Sequence, residues 1–129
     1  MPEKSAVRTE HAPAPFQGAP YSQAIRAGDL VFVSGQLALD PITHELVGDT
    51  TEEQTEQVFR NLSAILAEAG SSLERLVKTT VYLADLNDFQ GMNEVYSLQV
   101  GDVPPARATI EVSALPSGAL VEIEAVALA

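Results

Sequence analysis

The chain of 129 residues has no cysteine, no tryptophan, two histidines and only seven lysines and arginines. Without cysteine there is no disulfide, no thiolate nucleophile and no thiolate metal ligand. His11 and His44 fall in a proline-rich arm and a turn, so a Ser-His-Asp triad or a histidine metal site would need two distant segments to meet by chance. The motifs of nucleotide and metal chemistry are missing too: no Gly-rich phosphate loop with lysine, no G-x-G-x-x-G, no G-x-S-x-G, no H-E-x-x-H. No run approaches the ~18 to 20 apolar residues of a membrane span, and Met1 to Glu10 lack the apolar core of a secretory signal. The expected compartment is the cytoplasm, with no membrane partner. Eighteen acids leave a formal charge of −11, which repels a phosphate backbone, so nucleic acid is not an expected partner. The same charge repels small carboxylates, so any anion site must carry its own well-held cation.

At this length, a hydrophobic share of 46% suits one compact domain over 1–129. Residues 1–18 form an N-terminal arm, loop or edge strand, because Pro13 and Pro15, with Pro20 just beyond, exclude a helix. Leu30 to Ser34 and Leu37 to Leu39 read as two short strands. Thr51 with Gln54 is a capping-box pattern, and Val58, Leu62, Ile65, Leu66 and Ala69 recur at helical spacing until Gly70. Leu76 to Leu83 is a strand of mixed polarity; Asp85 to Asp88 cap a second helix with Phe89, Met92 and Tyr96 on one face. Two more strands, Ala106 to Val112 and Leu120 to Leu128, flank a turn-rich segment. The order β-β-α-β-α-β-β predicts an α+β domain: a mixed β-sheet with two helices packed on one face.

The remaining candidates for chemistry are a cation and carboxylates on the last two strands. Alternation puts Arg107, Thr109 and Glu111 on a polar side against a packed side of Ala106, Ala108, Ile110 and Val112, and sets Glu122 with Glu124 against Val121, Ile123 and Ala125. A hairpin between the strands would place Arg107 beside the glutamates. A cross-strand ion pair on a solvated face, worth ~0.2 to 1 kcal/mol, explains this pattern as well as catalysis does.

Further blocks narrow the reading. P-Y-S-Q-A at Pro20 to Ala24, V-S-G-Q at Val33 to Gln36, V-K-T-T-V-Y-L-A-D-L-N-D-F at Val77 to Phe89, P-A-R-A-T-I-E-V-S-A-L-P at Pro105 to Pro116 and V-E-I-E-A at Val121 to Ala125 resemble, in order and spacing, the reactive-intermediate deaminase (RidA, YjgF-type) family. The resemblance implies a chorismate-mutase-like fold and a cofactor-free hydrolase that turns 2-aminoacrylate or 2-iminobutyrate into a 2-keto acid and ammonia. It further implies a homotrimer with its sites at the subunit interfaces. By the same resemblance Arg107 grips the substrate carboxylate, Glu122 activates water and passes protons, and Tyr21, Ser34, Gly35, Asn93 and Thr109 line the site. Thr109 stands where many members carry cysteine, and Gly18 and Pro20, often adjacent, are separated by Ala19. Two alternatives stay open: a catabolic deaminase, such as one acting on 2-aminomuconate, and a non-catalytic protein that binds a carboxylate metabolite or a protein partner.

Overall fold

The computed structural model describes residues 3–129. Its longest helix, α1 (Thr51–Glu68), starts one residue earlier than the capping pattern suggests. Thr50 is the N-cap, accepting from the Glu53 backbone N–H, while Glu53 reaches back to the Thr50 N–H. The Thr51–Gln54 pair does other work: Thr51 donates to Asp88 (2.7 Å), and Gln54 receives the Leu120 N–H (2.8 Å). Val58, Phe59, Leu62, Ile65 and Leu66 form the buried stripe of α1. Gly70 ends the helix region at φ +80°, a conformation that favours glycine.

The sheet has six strands, β1 (Lys4–Val7), β2 (Ala24–Ala27), β3 (Leu30–Gln36), β4 (Leu76–Leu83), β5 (Ala106–Glu111) and β6 (Val121–Leu128), in the spatial order β1-β2-β3-β6-β4-β5. The arm is an edge strand, β1 (Lys4–Val7), antiparallel to β2 (Ala24–Ala27), a strand the sequence reading missed. β3 (Leu30–Gln36) is one strand, and Leu39 forms only an isolated bridge to Leu46. β4 (Leu76–Leu83) leads through a short 3-10 turn into α2 (Phe89–Gln99), then β5 (Ala106–Glu111) and β6 (Val121–Leu128). The α+β class and the mixed sheet under two helices are as expected.

The hairpin is not. β6 inserts between β3 and β4, antiparallel to both, and β5 pairs in parallel with the outer side of β4. A parallel pair needs a crossover, and α2 is that crossover. The faces of β5 are also reversed. Arg107 and Thr109 are half-buried on the helix side, in register with Thr79 and Val81, whereas Ala106, Ala108 and Ile110 are exposed on the other side. Polarity misleads here because β5 is an edge strand whose apolar side no helix covers.

Val81, Leu83, Val121 and Ile123 meet α1 and α2 and are fully buried. Val81 and Leu83 of β4 are thus part of the core. The opposite face is open: Phe32, Ile110 and Leu128 are each 43–46% exposed on it.

Candidate active site

β3 carries a bulge opposite β6. Val33 pairs with Ala125 and Gln36 with Ile123, so Ser34 and Gly35 together face a single residue, Glu124. The extra residue kinks the strand, as bulges near functional sites do. Ser34 is fixed at both ends: its N–H donates to Gln23 O (2.9 Å) and its hydroxyl to Ser22 O (2.6 Å). Gly35 makes room. A Cβ there would lie 2.9 Å from Glu122 Cδ and overlap Oε2, while the backbone is outside the left-handed region. Glycine is needed at this position for close approach, not for its dihedral freedom.

Glu122 lies half-buried at this bulge on the open face of the sheet. It lines a cleft of about 460 Å³ with Tyr21, Ser34 and Gly35. Phe16, Leu39 and Pro116 supply apolar walls. Tyr21 is positioned by its hydroxyl, which accepts the Phe16 N–H at 2.7 Å. Burial first, and the nearby charge of Glu124 second, raise the Glu122 carboxyl above the 4.5 of a free glutamate. A carboxylate that holds its proton more readily than usual, in a cleft, suits a group that takes up and returns protons.

A larger groove of about 660 Å³ lies on the other side of Tyr21, with Arg8, His11 and Glu68 exposed on its walls. Its one fully buried wall residue, Gln23, already spends its amide on Thr9, Ala12 and Pro13. The Glu122 cleft is the better place for chemistry despite its smaller size.

Arg107 is elsewhere. Its guanidinium carbon lies 4.7 Å from the Tyr96 ring centre and 5.4 Å from that of Phe89, a cation–π arrangement that holds a planar cation without neutralising it. Tyr96 is itself anchored by a 2.6 Å hydrogen bond with Thr79 and an edge contact to Phe59. Asn93, half-buried on α2, lies one turn from each of these aromatic residues. Thr109 follows Arg107 on the same face, and its Oγ1 is buried without a hydrogen-bond partner among the described residues.

The seven expected site residues therefore form two groups. Tyr21, Ser34, Gly35 and Glu122 meet in the cleft; Arg107, Asn93 and Thr109 sit on the helix side of β5. Through β4 the registers are Thr79 with Arg107 and Tyr82 with Glu122, and Thr79 and Tyr82 point to opposite faces. Within one chain the sheet separates Arg107 from Glu122, which rules out the expected cross-strand pair. Glu124, which alternation sets beside Glu122, accepts a hydrogen bond from Tyr82, a residue of the Val77 to Phe89 block to which the sequence pattern assigns no role of its own.

Comparison with known proteins supplies the family. The family model described as endoribonuclease L-PSP matches residues 9–129. A RutC family protein of Pyrococcus abyssi is 53% identical over 124 residues, 96% of each chain. The chloroplastic Reactive Intermediate Deaminase A of Arabidopsis thaliana is 48% identical, over 97% of this chain and 66% of that protein. Among solved structures, RidA from an Antarctic Psychrobacter superposes with a TM-score of 0.92 at 44% identity, covering 97% of this chain and 99% of that one.

Proposed function

Because the chain belongs to the RidA (YjgF-type) family, we propose that it is a deaminase hydrolysing reactive 2-imino and 2-enamino acids, of the 2-aminoacrylate and 2-iminobutyrate type, to 2-keto acids and ammonia. The observation that carries this reading is Glu122, half-buried in a cleft and pressed against Gly35, where no other residue leaves room for its carboxylate. The plant relative bears the deaminase name, which supports the reaction class.

The chemistry asks little of the protein. The imine carbon is already electrophilic, so the protein has to hold the substrate carboxylate, deliver one water and move protons. Arg107 offers two parallel donors to the carboxylate and keeps its charge. Glu122 takes a proton from the attacking water as its oxygen bonds to C2 and passes that proton to the imine nitrogen, giving a neutral carbinolamine. It then moves the remaining hydroxyl proton to the nitrogen, so that the C2–N bond breaks, ammonia leaves and the C2–O bond becomes a carbonyl. The balance is imine plus water to keto acid plus ammonia, and it needs no cofactor.

Since the two groups lie on opposite sheet faces, one site joining them draws on two copies: β5 and α2 of one subunit set against the open face and bulge of its neighbour. The exposed Phe32, Ile110 and Leu128 are apolar surface of the kind such packing covers, and the family resemblance sets the number of copies at three. The setting we infer is the cytoplasm, where short-lived imines arise. RNA cleavage, which the family model's description evokes, is less well supported: a charge of −11 opposes binding to a phosphate backbone.

The test couples the protein to an amino acid oxidase that releases imines and follows imine loss. Acceleration by the wild type, with near-complete loss in Arg107→Ala and Arg107→Lys, is the expected result. Tight keto-acid binding without turnover would instead make the protein a metabolite binder, and turnover of 2-aminomuconate alone would make it a catabolic deaminase.

A further inference from the structure

On the open face beside Glu122 stands a second acid that the mechanism above does not use. Glu124 is two residues along β6 on the same side, and Tyr82, in register with Glu122 on β4, donates its hydroxyl to Glu124 Oε1. Tyr82 thus crosses diagonally: its backbone faces Glu122, and its hydroxyl holds the next carboxylate.

We propose that Tyr82 and Glu124 are positioning residues for Glu122: the phenol pins the Glu124 carboxylate to the sheet, and this fixed negative charge tunes Glu122 as a proton carrier. The inference rests on the proton-transfer role proposed for Glu122. Exposed carboxylates normally swing into water, where screening weakens their influence. A hydrogen bond from a residue on the neighbouring strand removes that freedom. The two acids are then held about 7 Å apart, the spacing of alternate residues on a strand.

Within one chain, among the described residues, no other charge competes at that distance. From β3, Ser34, Gly35 and Gln36 line the cleft with the carboxyl; so does Tyr21 from the N-terminal loop; from β5, Ile110 lies next to Tyr82; all are uncharged. Lys78, the cation of β4 on this face, pairs with Val126, two same-face pairs away from Glu122. Arg107 of the same chain is across the sheet, and an Arg107 brought to the site by a neighbouring copy is common to the wild type and both variants compared below. The direction of the electrostatics agrees: Glu124 is the one charged group that raises Glu122, and Tyr82, pushed up to about 12 mainly by its bond to Glu124, stays a donor through the working range. For a group that must take a proton from water and return it to nitrogen, a neighbouring negative charge favours the first half of the cycle, the uptake of the proton.

The experiment pairs carbon-13 NMR titration of the side-chain carboxyls, assigned with Glu122→Gln, with the pH profile of kcat/KM for wild type, Glu124→Gln and Tyr82→Phe. Glu124→Gln keeps the acceptor for Tyr82 and removes only the charge. It should move the Glu122 titration midpoint to lower pH and raise kcat/KM on the acid limb by about three- to eightfold, the Coulomb effect of one charge at about 7 Å in a medium between water and protein surface. Tyr82→Phe should move both in the same direction by less, because the freed carboxylate retreats into solvent. A Glu122 midpoint unmoved by Glu124→Gln overturns the tuning role, and one unmoved by Tyr82→Phe overturns the pinning. If the midpoints move as expected but no variant, nor the wild type, turns over an imine, this coupling stands and the deaminase reading falls.

Discussion

The contact between Gly35 and Glu122 can be tested by adding one methyl group. In Gly35→Ala the new Cβ would sit 2.9 Å from Glu122 Cδ and 3.3 Å from Cγ, and would overlap Oε2. Ordinary contact needs about 3.5 Å or more, so the carboxylate has to move by on the order of 1 Å. The cost to folding is small, because the obstructing atoms end a flexible side chain and the Gly35 backbone is open to alanine; reduced freedom of the unfolded chain can even add ~0.4 to 1 kcal/mol of stability. The cost to catalysis is not small, since a 1 Å misplacement of a reacting group reduces rate by about 100-fold. The expected outcome is a roughly 100-fold fall in kcat/KM in the oxidase-coupled assay with an almost unchanged Tm. In a Glu122→Gln background the same alanine should cost little more, because there is no longer a base to displace. A full second loss in the double variant, or near-normal activity in the single one, would refute the account.

Two further outcomes concern stability. The folded-state pKa of Glu122 is raised, so its contribution to stability is fully present below the 4.5 of the free side chain and is lost as pH rises through the folded value; Glu122→Gln should therefore unfold at a higher temperature than wild type at pH 7, with the gap closing toward pH 4, and a constant gap would count against burial as the cause. Thr109→Val removes a buried hydroxyl with no partner and should stabilise the fold by about 1 kcal/mol in denaturant titration, whereas destabilisation would mean that the hydroxyl has a partner in the folded protein.

Much of this was legible in the sequence, for identifiable reasons. Helix α1 is long and periodic, so its stripe from Val58 to Leu66 was readable, and only the cap slipped by one residue because Thr50–Glu53 and Thr51–Gln54 both fit the pattern. Alternation correctly put Glu122 and Glu124 on one side of β6. What periodicity cannot give is which strands are neighbours. Two runs joined by a turn suggest a hairpin, but the pairing of β5 with β4 is set by the α2 crossover, and β6 returns to a slot inside the sheet. Nor does polarity say which side is inward when an edge strand offers Arg107 to aromatic rings and leaves Ile110 exposed. The motif P-Y-S-Q marked Tyr21, yet β2, beginning at Ala24, was missed because a four-residue strand carries too little pattern.

The separation of Arg107 from Glu122 by the sheet turns the shared site into a quantitative prediction. Arg107→Ala and Glu122→Gln each inactivate every site of their own assembly. Suppose subunits are mixed in equal amounts, unfolded and reassembled at random. A site that takes its arginine from one subunit and its glutamate from the next is intact only when the first carries Glu122→Gln and the second Arg107→Ala. Each condition is met half the time, so about one quarter of the sites recover, and this fraction is the same for any closed ring of identical heterologous contacts. Ring size enters only through mass, and light scattering should give about three times the 13.7 kDa chain. A site built within one chain would recover nothing, because no chain in the mixture carries both groups. Recovery near one quarter of wild-type kcat, with a KM close to wild type, is the expected result. Zero recovery from a mixture that light scattering shows to be fully reassembled would remove the catalytic centre shared between subunits.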